Sequence, residues 1–288
     1  GQFIDTHGQP GVMQTPTAVL LDNFSGWTMP RHLYTLSTYQ VWGSVPYEPG
    51  DYLSHAVFSM LYPGYEDSSY FLDERGFLSP TPHGDSADAL LSDAPGWVLQ
   101  QYSLIVAAGR LDPSLELRDK LEAFVAAGGH LIITAGSASG LWPEWEIGTP
   151  EAVASGSVIT WADGSEAVEE HGFTLSSAVL PQDAEVLAHC GQMPVIARIP
   201  MGGGEVTLVL SPFGLNGQPL FSGSIENVPE KPLACPFVLL SHVQRVLTEA
   251  FTKQQFFSVG DGLSFITCRK ERGRYTIGIH NDTLAAKP

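Results

Sequence analysis

Residues 102–140 read YSLIVAAGRLDPSLELRDKLEAFVAAGGHLIITAGSASG. An apolar run, Leu104 to Ala108, precedes an amphipathic segment, and a second apolar run, Leu131 to Ile133, follows it. Both runs are short, β-rich and unalternated, the pattern of strands covered on both faces in a parallel sheet. Between them Leu117, Leu121, Phe124 and Val125 fall at i, i+4, i+7 and i+8, one stripe of a helix. Asp112 is expected to cap that helix with Pro113 at its first position, and Gly128-Gly129 to stop it through a left-handed C-cap. Strand, helix and strand then make a right-handed crossover. Ligands of such sheets gather at the carboxyl ends of the strands. Those ends carry Ala108-Gly109-Arg110 and Thr134-Ala135-Gly136-Ser137.

Working outward, Thr17 to Asp22 predicts a strand ending in a carboxylate and opening into the loop Asn23 to Trp27. That loop lacks the three glycines of a dinucleotide fingerprint, which excludes a Rossmann cofactor site. Ser54 to Leu61 predicts a short helix entered from Asp51, Asp88 to Asp93 a buried strand, and Gly96 to Gln101 another short helix. Beyond Gly140, Leu141 to Pro150 reads as a loop. Strands are expected at Ser157–Trp161, Val186–Ala188 and Val195–Ile199, with a turn at Asp163-Gly164. Gly202-Gly203-Gly204 reads as a hairpin turn into Glu205–Ser211 rather than a phosphate cradle, because no Lys-Ser/Thr follows. Pro236 to Phe251 keeps helical spacing. Leu263–Arg269 and Tyr275–His280 alternate around Arg272-Gly273 as a β-hairpin. Such a hairpin cannot bury its faces alone, so it reads as the first part of a further β domain or an edge on the preceding one.

The expected fold is therefore α/β: a doubly wound, mostly parallel flavodoxin-like sheet followed by the start of a β domain. The expected boundaries are a lead-in linker at 1–16, the α/β domain at 17–255 and the first hairpin of the β domain at 256–288.

The chain of 288 residues carries 31 acidic against 14 basic side chains, a net charge of −17. That balance argues against a nucleic-acid backbone or an anionic membrane surface as partner. No apolar run approaches a membrane span. Gly1 to Gln14 is polar and shows no signal-peptide pattern, and the first residue is not Met, so the chain reads as a processed or excised piece of something longer. Cys190, Cys235 and Cys268 are widely spaced, show no metal-ligand pattern, and read as small buried hydrophobes. No metal and no cofactor are expected.

Three groupings have chemical potential. Gly136-Ser137-Ala138-Ser139-Gly140 has the glycines of a nucleophile elbow, but Ala138 stands at its centre. Ser137 as a nucleophile would need a base within hydrogen-bond reach, which no spacing assigns, so a structural turn is the better reading. His83, Asp85, Asp88 and Asp93 are the densest mix of His and carboxylates, suited to a hard cation or an acid–base pair. Asp88 and Asp93, however, bracket a strand and stand too far apart to share one ion. Trp27, Trp42, Tyr47, Tyr62 and Tyr65 could stack on sugar rings, although packing is the commoner use of such aromatics.

The whole pattern resembles a class I glutamine amidotransferase-like domain. The likeness rests on HLIITAGS after a helix ending in Gly-Gly, on Asp183 to Ala188, on Pro194-Val-Ile-Ala-Arg198, and on Gly202-Gly-Gly-Glu-Val-Thr-Leu208. It is similar to the version found in multidomain glycoside hydrolases, between a catalytic barrel and a β-sandwich, as in the trimerisation domain of certain β-galactosidases. The likeness covers roughly Thr17 to Phe251. True amidotransferases carry a Cys nucleophile just after the strand that here ends in Thr134-Ala135-Gly136; this chain has none there and no matching His-x-Glu, so no amidotransferase catalytic residue carries over. The resemblance implies a non-catalytic region of a secreted or periplasmic carbohydrate-active enzyme. Its partners would be the catalytic barrel of the same enzyme or further copies of the chain. Trp27, Trp42, Tyr47, Asp22, His83 and Asp85 would be the candidate carbohydrate contacts. The alternatives are a free-standing serine hydrolase using Ser137 and a glycan-binding module without catalysis.

Overall fold

The computed structural model describes residues 5–6, 8–22, 49–62, 83, 87–109, 111–216, 238–255 and 264–280. Two strands of the predicted crossover unit, β4 (Leu104–Ala107) and β5 (His130–Thr134), flank helix α3 (Leu115–Ala126). The strands pair in parallel, Leu104 with His130 and Val106 with Ile132. The helix buries the expected stripe of Leu117, Leu121, Phe124 and Val125, worth about 1.5–3 kcal/mol per side chain. Its cap is not Asp112. Ser114 Oγ accepts the Leu117 N–H at 3.1 Å, and the Asp112 N–H is instead donated to Asp22 Oδ2 at 3.0 Å, which holds that residue outside the helix.

Around this unit the described residues form a nine-stranded sheet in the order β3-β2-β4-β5-β12-β11-β10-β7-β8. Its members are β2 (Thr17–Leu21), β3 (Ala87–Leu91), β7 (Ser157–Trp161), β8 (Glu166–Glu169), β10 (Glu185–Cys190), β11 (Met193–Met201) and β12 (Gly204–Val209), with β4 and β5. The joins from β3 across to β12 are parallel. Those from β12 out to β8 are antiparallel. The expectation of a mostly parallel sheet is thus corrected to a mixed one, four joins of each kind. The cause is the run of hairpins after Gly140, which can only pair antiparallel. The expected buried strand at Asp88–Asp93 is an edge strand instead, β3, with Leu91 42% exposed, because among the described residues only β2 pairs with it.

Helix α1 (Pro49–Leu61) contributes Leu53, Val57 and Leu61 to the core. Helix α2 (Gly96–Leu99) precedes β4, and α4 (Ala135–Leu141) follows β5 directly. Trp142 and Trp145, in a stretch that reads as a loop, stack at 4.7 Å and are almost wholly buried. Trp142 Nε1 donates to Glu122 Oε1 at 2.9 Å, and Arg118 bridges Glu122 and Glu144, tying this turn to α3. A small two-stranded sheet pairs β6 (Glu151–Val153) with β9 (Phe173–Leu175). Helix α5 (Ser241–Gln254) starts five residues later than Pro236 and buries Val243, Val246, Leu247, Ala250 and Phe251.

The Gly-Gly-Gly turn closes the β11–β12 hairpin as expected. At Gly204 a Cβ would run into the carbonyl oxygens of Gly129 and Val125, so the end of α3 and the hairpin approach closer than any other residue permits. The terminal hairpin, β13 (Ser264–Glu271) with β14 (Arg274–His280), takes a third strand, β1 (Val12–Met13), from the lead-in. Val12 pairs with Arg269 and Met13 with Cys268. Cys190 is buried and Cys268 half-buried, both as free thiols.

Candidate functional site

In a parallel sheet the carboxyl rim is where ligand chemistry would be placed, and here the rim begins with Asp22. It follows β2 directly and is buried. Its Oδ2 accepts the Asp112 N–H at 3.0 Å and the Ser92 Oγ hydroxyl at 3.2 Å. Ser92 also donates its N–H to Leu21 O at 2.7 Å, and Ala108 donates its own to Leu20 O at 3.1 Å. The carboxylate thus bonds across the crevice between β2 and the segment after β4, and ties in the segment after β3.

Ser137 is also buried at this rim, but its hydroxyl is donated to the Gly109 carbonyl at 2.9 Å. A backbone carbonyl is not a base, so the geometry gives the nucleophile reading no support. The neighbouring Gly136 N–H is donated to Pro212 O at 2.8 Å, which joins the start of α4 to the segment after β12. Ser139 donates to Gly136 O at 3.2 Å, within its own turn.

The His and carboxylate grouping does not converge on a site among the described residues. Asp88 Oδ2 takes the Thr15 hydroxyl at 2.6 Å and the Tyr102 hydroxyl at 2.9 Å. Burial, aided by that carboxylate, pushes the Tyr102 phenol up to about 12. This bond anchors the lead-in to the start of the sheet. Asp93 lies in the turn beyond the other end of β3. His83 is buried with its ring 5.3 Å from that of Phe251, and burial lowers its pKa. No group of three or more metal-ligating side chains occurs among the described residues. Trp27, Trp42, Tyr47 and Asp85, the other candidate carbohydrate contacts, lie outside the described residues, as does Tyr65. Tyr62 packs against the core.

A further polar cluster joins β8 to α5. Glu169, the last residue of β8, is 2% exposed. Its Oε2 accepts the Ser241 N–H at 2.8 Å and the Ser241 hydroxyl at 2.8 Å, and His242 Nδ1 lies 3.2 Å away. Burial alone would raise the Glu169 carboxyl, but the hydrogen bonds from His242 and Ser241 outweigh it, and its pKa is lowered. A carboxylate at a helix N-terminus also meets the positive end of the helix dipole. Further along α5, the Arg245 guanidinium lies 4.1 Å over the Trp161 ring and binds Asp163 at 2.7 Å. Hydrogen bonds from the Ser165 hydroxyl, its N–H and Arg245 hold Asp163 down to about 2. No sequence signal pairs Glu169 with Ser241, since the bond spans 72 residues.

No family model matches the chain, and no curated protein does. Among solved structures it is similar to the β-galactosidase of Bacillus circulans sp. alkalophilus, with a TM-score of 0.53 and 15% identity, covering 92% of this chain and 35% of that one. It is similar also to the β-galactosidase of the Antarctic haloarchaeon Halorubrum lacusprofundi, with a TM-score of 0.52 and 13% identity, covering 93% and 36%. At these identities the likeness is one of fold. The chain spans little more than a third of the length of either enzyme.

Proposed function

We propose that this chain is a non-catalytic accessory and assembly region of a glycoside hydrolase acting on an oligo- or polysaccharide, whose reacting carboxylates lie outside residues 1–288. The observation that carries the proposal is the closed rim. Where a wound sheet would hold a ligand or nucleophile, Asp22 is spent on Asp112 and Ser92, and Ser137 on Gly109. The fold likeness to about a third of two β-galactosidases supports the same reading.

The five parallel strands, numbered by their order along the chain, lie in the order 2-1-3-4-5. That order supports a flavodoxin-like winding and an amidotransferase-like origin with the nucleophile position lost. In this proposal 17–255 is the wound domain, and 256–288, with the β1 strand laid beside it, opens a β domain. The whole works in a secreted or periplasmic enzyme. Its partner is the catalytic barrel of that enzyme or further copies of the chain. Trp27, Trp42 and Tyr47 are its candidate carbohydrate contacts.

The test is sedimentation velocity over a concentration series, with the chain alone and mixed with the catalytic barrel. The expected result is self-association or co-sedimentation with the barrel. A chain that stays monomeric at every concentration and ignores the barrel contradicts the proposal.

A further inference from the structure

Helix α5 is held to the sheet at its first turn by one carboxylate oxygen. Glu169 Oε2 receives the Ser241 N–H, the Ser241 hydroxyl and His242 Nδ1. The His242 side chain is fully buried, its ring lies 5.4 Å from that of Phe173, and its other nitrogen, Nε2, is buried with no hydrogen-bond partner among the described residues. A proton on Glu169 would remove the charge that gathers three donors.

The remaining charges nearby do not substitute. Arg245, one turn on, is engaged by Asp163 and Glu249. Glu166 lies at the far end of β8, and Glu170 and His171 follow Glu169 on the outer turn. Just before α5, the Leu240 N–H is donated to Gly214 O, and Leu239 bridges Leu215. The Asn216 N–H is donated to Val238 O, and the Val238 N–H to Asn216 Oδ1. This stem continues straight into the turn that Glu169 holds.

We propose that the Glu169–Ser241–His242 contact is an acid-released latch, so that protonation frees the start of α5 and the pairing of 238–240 with 214–216 while the parallel sheet stays closed. The carboxylate form holds the latch. It is complete above the ordinary carboxylate range and is lost as the pH falls through that range and below it.

The test is amide hydrogen exchange on the whole chain from neutral pH to about pH 3.5, corrected for intrinsic exchange rates. Peptides covering 238–247 should lose protection about tenfold or more at a higher pH than peptides covering 104–107 and 130–134. Glu169→Gln should remove that pH step. Ser241→Ala keeps the carboxylate but deletes a bond that favours its charged form, so the step should move to higher pH. Loss of protection in both regions at one pH overturns the latch. So does a step unchanged in Ser241→Ala, or one retained in Glu169→Gln.

Discussion

Replacing Asp22 by Ala removes the acceptor that joins the end of β2 to Asp112 and Ser92. At least two bonds are lost, at 3.0 and 3.2 Å, from a side chain 4% exposed. A hydrogen bond to an ionised group contributes about 1.5–3 kcal/mol. Asp112 is itself exposed, so water can take over its N–H, and of the roughly 3–6 kcal/mol for two such bonds the expected loss is the lower part, about 3–4 kcal/mol in all. For a chain of this size that is a fall in Tm of roughly 5–15 °C. Asp22→Asn keeps one carbonyl acceptor and loses the charge, so it should cost about half as much. The assay is thermal unfolding of the three proteins followed by circular dichroism. If Asp22→Ala shifts stability by less than about 0.5 kcal/mol, as a surface substitution would, the carboxylate is not a structural tie. The rim would then be open to a ligand, and the reasoning fails.

Gly204→Ala forces a methyl group against the Gly129 and Val125 carbonyls, and should cost about 3 kcal/mol in urea unfolding; an unchanged midpoint would mean that the hairpin does not pack so closely. Tyr102 has its phenol raised from 10.0 to about 12. A group so raised adds stability that is whole below the unfolded value and lost as pH climbs through the folded one. The stability difference between wild type and Tyr102→Phe should therefore shrink between those two values, as read from urea midpoints at each pH, and a flat difference would contradict the Asp88 contact. Ser137→Ala leaves the Gly109 carbonyl without its donor and should cost about 1–3 kcal/mol by the same unfolding assay.

The central crossover was legible because its signals are local. Leu117, Leu121, Phe124 and Val125 mark a stripe by spacing alone, and Gly202-Gly203-Gly204 marks a turn by backbone freedom alone. The helix cap was misplaced by two residues because Asp112 and Ser114 are both good cap acceptors. Only the bond from Asp112 N–H to Asp22, on another strand, decides between them. The apolar composition of Asp88–Asp93 suggests a buried strand, but composition does not say whether a second neighbour exists. Trp142 and Trp145 looked like loop aromatics, yet α3 offers them Glu122 and a buried face. The partnership of β1 with β13 and the Glu169 cluster were invisible for one reason: each joins segments far apart in the chain, and pairing at that range leaves no periodicity to read. Asp22 and His83 are the two candidate contacts within the described residues. Both prove to be buried, the first in bonds across the rim and the second against Phe251.

The most direct measurement is turnover by the purified chain alone, with chromogenic aryl glycosides and aryl esters followed at high protein concentration. Rates equal to buffer are expected for every compound, because among the described residues no base meets a nucleophile at the strand ends. Saturable hydrolysis of an aryl glycoside, or ester cleavage abolished by Ser137→Ala, would contradict it.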